Sequence, residues 1–147
     1  MTTTQTRTVH ELLNAGEAGA VAIATVERPS LSFGELRQLV RDTVVSLNQL
    51  GYRRGDAVAI VLPNGPEMAT SFLSVASACV SAPLNPAYRA DEFEFYLTDL
   101  QAKALIVEAG SDSPAVDVAR KLGVSIVELV SDTSGPAGKF TLRGPDG

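Results

Sequence analysis

Gly55-Asp56-Ala57-Val58-Ala59-Ile60-Val61-Leu62-Pro63-Asn64-Gly65-Pro66-Glu67 is the stretch on which the reading of the fold turns. Residues 57–62 are apolar at every position, so both faces of a pleat would be apolar. A strand with water on one face alternates; one covered by helices on both faces does not. Pro63, Asn64 and Gly65 then break the run. Pro66 suits the first turn of a helix, with Asn64 or Gly65 as its cap. A buried strand running straight into a helix predicts a parallel sheet built from β-α-β units.

The same alternation extends downstream. Residues 66–79 read as a helix carrying Phe72, Leu73 and Val75 among many Ala and Ser residues, small enough to approach a sheet closely. Residues 80–84 read as a short strand entering Asn85-Pro86. Asp91, Glu92 and Glu94 favour a helix start through the positive end of its dipole. Phe93, Tyr96, Leu97 and Leu100 form that helix's apolar stripe, with Glu94 on the solvent side. Residues 104–107 are a strand, Ser113-Pro114 opens a helix that Gly123 ends, and residues 124–130 are a further strand.

Upstream, Thr8 caps a short helix over residues 9–15, which Gly16 stops. Residues 20–26 read as a strand. After a turn at Glu27-Arg28-Pro29-Ser30, Leu31 is extended again. Ser32 and Glu35 form a capping box. Phe33, Leu36, Val40, Val44, Leu47 and Leu50 follow at helical spacing until Gly51. The fold class predicted is a three-layer α/β/α sandwich with a mainly parallel sheet and right-handed crossovers. Residues 131–147, rich in Gly, Pro, Ser and Asp, read as loop.

Length and composition narrow the function. A chain of 147 residues that is 45% hydrophobic fits one domain with a true core. The net charge of −5 comes from interspersed charges with no basic run. That argues against nucleic acid or an anionic membrane as partner. Residues 1–8 lack an apolar signal core, and no apolar run is long enough to span a bilayer. With a single cysteine no intrachain disulfide forms, which points to a cytoplasmic location. Cys79 lies among Ala, Ser and Val and reads as a buried structural thiol. His10 reads as a surface residue.

No set of residues assembles a catalytic or metal centre. One His and no Gly-x-Ser-x-Gly turn rule out a Ser-His-Asp triad. Metal-ligand spacing is absent. The acids Asp91, Glu92, Glu94 and Asp99 suit a solvated helix start better than acid–base work. The turn Pro63-Asn64-Gly65 is where such a sheet would present backbone N–H groups to an anion, although capping by Asn64 accounts for the same residues. Thr133-Ser134-Gly135-Pro136-Ala137-Gly138-Lys139 follows a strand and ends in lysine, as phosphate loops do. Yet Thr133 stands where the first Gly belongs, Phe140 where a Mg2+-binding hydroxyl belongs, and Pro136 lacks an N–H. It reads as an ordinary solvated loop. The catalytic, cofactor-binding and metal-ligating residues expected in this chain are therefore none.

Three segments carry a resemblance: Leu31-Ser32-Phe33-Gly34-Glu35-Leu36, Gly55-Asp56-Ala57-Val58-Ala59-Ile60, and Pro83-Leu84-Asn85-Pro86-Ala87-Tyr88 continuing through Leu97. In order and spacing the chain resembles the adenylate-forming (AMP-dependent) ligases, and within them the acyl-CoA synthetases and their oxalate–CoA ligase branch. The resemblance implies a two-step reaction. A small carboxylic acid attacks ATP to give an acyl-adenylate, and a thiol, usually CoA, takes the acyl group. ATP, Mg2+ and CoA are thus implied for a full-length enzyme, none of them held by this chain. It also implies that residues 1–147 are the N-terminal part of the AMP-binding domain, ending before the phosphate loop. Such a fragment is expected to be inactive and prone to self-association. The other class compatible with the residues is a self-contained, non-catalytic α/β module that binds a nucleotide or acyl group.

Overall fold

The structure, a computed structural model, describes residues 8–146; residues 1–7, which include most of the segment read above as lacking a signal core, lie outside these. The decisive stretch forms β3 (Ala57–Val61), and the helix after it is α3 (Pro66–Ala78). Four further strands share its sheet: β4 (Val80–Pro83), β5 (Ala104–Glu108), β6 (Ser125–Ser131) and β7 (Phe140–Arg143). The order is β4-β3-β5-β6-β7. The first four are parallel and β7 is antiparallel to β6.

Register explains how a strand apolar on both faces is used. Val58 lies beside Ala104, and Ile60 beside Ile106. These face α2 (Phe33–Gln49) and α3, packing with Leu39, Leu47 and Val75. Ala59 lies beside Leu105, and Val61 beside Val107. These face α4 (Ala90–Asp99) and α5 (Pro114–Leu122), packing with Phe93, Leu97, Val118 and Ala119. The layering is therefore α/β/α, as the uninterrupted apolar run requires. Thr70, Ser71 and Ser74 of α3 are buried, so the small residues of that helix do lie against other elements.

A third, smaller core closes the amino-terminal side. The α-turn α1 (Val9–Leu12) passes into a 3-10 turn (Leu13–Ala15), and β1 (Val21–Ile23) pairs antiparallel with β2 (Leu31–Ser32). Leu13 and Leu31 pack on Leu36 and Val40 of α2. Both capping boxes form: Glu11 N–H donates to Thr8 Oγ1 at 3.2 Å, and Glu35 N–H to Ser32 Oγ at 3.2 Å. Gly123 ends α5 at φ 72°, a left-handed value that glycine adopts without steric cost.

The structure corrects several expectations. The first strand is Val21–Ile23, not residues 20–26; Val26 has no strand partner and is fully exposed. The first helix is split, its second half tightening to 3-10. Glu94 is not simply solvated: Lys121 of α5 donates to it at 3.2 Å, tying two helices together. Residues 131–147 are not all loop. Ser131 ends β6, and Phe140–Arg143 form β7, with Phe140 4% exposed. No helix among the described residues is long and apolar enough to cross a membrane.

Candidate functional site

Parallel sheets present ligand crevices beyond the carboxyl ends of their strands, where neighbouring connections leave for opposite faces. Here β3 leads to α3 on one face, while its neighbour β5 leads to α5 on the other. The gap between these departures is a cleft of about 330 Å³, lined by Val61, Pro63, Pro86, Glu108, Asp112 and Ser113 among others.

Its serine hydroxyls are engaged in local structure. Ala115 N–H donates to Ser113 Oγ at 3.2 Å, capping α5. Ser113 N–H donates to Ser111 Oγ at 3.2 Å. No Lys or Arg lines the cleft, and its two acids, Glu108 and Asp112, are unsuited to a phosphate. Neither acid has a His beside it in the lining, and the Ser111 and Ser113 hydroxyls that flank Asp112 are taken up as acceptors for backbone N–H groups. No group of His, Cys, Asp and Glu able to hold a metal occurs among the described residues.

The neighbouring turn uses the second of the two caps read from the sequence. Gly65, with φ 165°, is the N-cap of α3, and no side chain caps this end. Asn64 is exposed and does not cap. Glu67 in the first helical turn is paired with Arg28.

That arginine also decides the fate of residues 133–139. Its side chain is only 16% exposed. It donates to the carbonyls of Asp132 (2.8 Å), Pro136 (2.9 Å) and Gly135 (3.5 Å), and to the Glu67 carboxylate. Ala137 N–H donates to the Pro29 carbonyl at 2.8 Å, and Thr70 Oγ1 to the Gly138 carbonyl at 2.7 Å. Gly138 has φ 84°, and a Cβ there would lie 3.0 Å from the Pro66 carbonyl. The segment is thus a pinned strap against the start of α3, not a freely solvated loop. Its carbonyls, not its N–H groups, point inward at Arg28, the wrong polarity for a phosphate. Sequence reasoning missed Arg28 because its carbonyl partners lie more than 100 residues away and Glu67 lies 39 away.

Other titratable groups have structural explanations. Hydrogen bonds from Ser134 and Gly135 hold the Asp132 carboxyl below the usual carboxylate range, and Arg143 does the same for Glu128. Cys79 is buried, and that burial, with Asp56 adding to it, pushes its thiol upward, which suppresses the reactive thiolate. His10 is exposed.

A mainly parallel α/β/α sandwich with a crevice at its switch point is a fold class that many functions share. The particular family comes from comparison with known proteins. Residues 13–142 match the family model described as AMP-binding enzyme, so this chain belongs to the AMP-binding enzyme family. It is 37% identical to the oxalate–CoA ligase of Arabidopsis thaliana over 108 residues, covering 72% of this chain and 21% of that protein. It is 38% identical to the oxalate–CoA ligase of Saccharomyces cerevisiae over 98 residues, covering 63% of this chain and 18% of that protein. Among solved structures, the ATP-bound MatB of Rhodopseudomonas palustris superposes with a TM-score of 0.73 at 23% identity, covering 88% of this chain and 26% of that one. At that identity the likeness shows the shared fold. The chain spans about a fifth of the length of the curated relatives it matches.

Proposed function

We propose that this chain is the N-terminal portion of the AMP-binding domain of an ATP-dependent acid–CoA ligase, ending before the phosphate loop, and that by itself it is a scaffold without catalysis. The observation that carries the reading is the identity to oxalate–CoA ligases over two thirds of the chain. The parent would join a small carboxylic acid to AMP and pass the acyl group to CoA. Such chemistry needs groups that neutralise phosphoryl charge. The switch-point cleft offers none, and the half-buried Arg28 is engaged by carbonyls and Glu67. The work of this chain is therefore architectural, supplying a rigid sheet whose strand ends form one wall of a larger site. Acid, ATP, Mg2+ and CoA would be held by other parts of the enzyme.

One observation favours a second reading. Residues after Ser131 do add a strand, β7, as a self-contained module closing its own sheet would. That module would bind ATP or an acyl group without turnover.

The test is a chimera in which this chain replaces the matching segment of the Arabidopsis oxalate–CoA ligase. The ligase reading expects the chimera to form the CoA thioester and the isolated chain to form none. A chimera that neither adenylates oxalate nor binds ATP contradicts it. Saturable ATP binding by the isolated chain, without pyrophosphate release, selects the second reading.

A further inference from the structure

Pro63-Asn64-Gly65 joins β3 to α3, and the Asn64 side chain caps nothing there. Asn64 and Gly65 are both exposed. Among the described residues no hydrogen bond holds the Asn64 carboxamide or the Gly65 N–H. A Cβ built on Gly65 meets nothing within 4 Å, so the turn stands in open space. Gly65 also has no side chain of its own to keep its nitrogen away from the Asn64 Cγ.

These are the requirements of one reaction. The Gly65 nitrogen, having lost its proton to hydroxide, attacks the Asn64 Cγ. A five-membered imide forms as the Cγ–Nδ2 bond breaks. Ammonia leaves with a proton from water, which restores the hydroxide. A second water then opens the imide at either carbonyl. One opening leaves aspartate; the other leaves isoaspartate, with the main chain running through the side-chain carbon.

The other three asparagines are each held back. Asn85 precedes Pro86, whose nitrogen has no proton to lose. Its Oδ1 also accepts from Ala87 N–H at 2.9 Å. Asn48 lies within α2, and its carbonyl accepts from Gly51 N–H at 3.1 Å. Asn14 lies in the 3-10 turn and precedes Ala15, whose Cβ crowds the approach.

We propose that Asn64 is a self-modifying site, whose amide cyclises onto Gly65 in the folded chain and opens to a carboxylate. This stands apart from the ligase reading. The new charge lies one residue beyond Pro63, on the rim of the crevice that Glu108 and Asp112 already line. The aspartate product suits the turn, because α3 starts without a side-chain cap and its first turn favours an acid. The isoaspartate product lengthens the path into the Gly65 cap by one main-chain atom and loosens the start of α3.

Peptide mapping by mass spectrometry, on the folded 147-residue chain held in mildly alkaline buffer, follows the reaction. The Asn64 peptide should convert first, gaining the mass difference of OH for NH2 and separating into aspartate and isoaspartate forms. The Asn14, Asn48 and Asn85 peptides should stay amidated over that time. Gly65→Ala should slow conversion by about tenfold or more, because a Cβ narrows the backbone freedom the cyclisation needs. The same chain in urea gives the rate set by sequence alone. Asn64 in the folded chain should convert within about tenfold of that rate, as a turn outside the protected core does. A slower folded-state rate means that the fold shields Asn64, and overturns the proposal. So does conversion of Asn14 or Asn48 ahead of Asn64, or a rate that Gly65→Ala leaves unchanged.

Discussion

Arg28 shows how much one side chain can organise in a small fold. Removing it leaves Glu67 unpaired in a half-closed site and three carbonyls without their donor. Losing one partner of a mostly buried pair costs about 2 to 4 kcal/mol. Urea denaturation should show Arg28→Ala destabilised by that order, and limited proteolysis should nick residues 132–139 first. Gly138→Ala should also destabilise, by about 1 to 3 kcal/mol, because its φ of 84° and the nearby Pro66 carbonyl both oppose a Cβ. Ser74 is the opposite case. Its hydroxyl is buried without a protein partner, so Ser74→Ala should be neutral or stabilising by about 1 kcal/mol. Acid titrates the strap and the β6–β7 pair. Asp132 and Glu128 both have lowered pKa values in the folded chain. Their contribution is therefore complete above the ordinary carboxylate range and is lost as pH falls through their folded values. Asp132→Asn and Glu128→Gln together should flatten the acid limb of a thermal-melt series measured across pH.

Among the elements, legibility followed locality. The capping box at Ser32 and Glu35, the run of α2 and the left-handed stop at Gly123 need only neighbouring residues, and all were readable. So was β3, since an apolar run of that length between Asp56 and Pro63 has few alternatives. β7 was not readable. Phe140-Thr141-Leu142-Arg143 has two apolar residues in a Gly- and Pro-rich setting, and its place depends on Arg28, Thr70 and β6. The sequence left two caps for α3 open; Asn64 has a capping side chain but stands one residue too early, and Gly65 takes the position. The ladder phase of β7 makes a direct prediction. Asp132 N–H donates to the Lys139 carbonyl at 2.9 Å, which fixes that phase. Thr141→Pro removes an N–H bonded to β6 and should destabilise by about 1 to 3 kcal/mol, whereas Leu142→Pro removes one facing outward and should cost markedly less. Calorimetric melting of the two variants measures the difference.

At the scale of the molecule, the sheet and its helix layers are complete enough to form a core on each face, yet the crevice where such a sheet hosts ligands is acidic and without cations. The phosphate-loop look-alike at residues 133–139 is a strap whose carbonyls hold Arg28. The architecture is that of the AMP-binding enzymes; on the proposed reading, the phosphoryl charge is met by other parts of the enzyme. Isothermal titration of the 147-residue chain with ATP and Mg2+ tests that claim most directly. The account predicts no saturable heat. Binding at one site per chain, abolished by substitutions around Pro63 or the 132–139 strap, would contradict it.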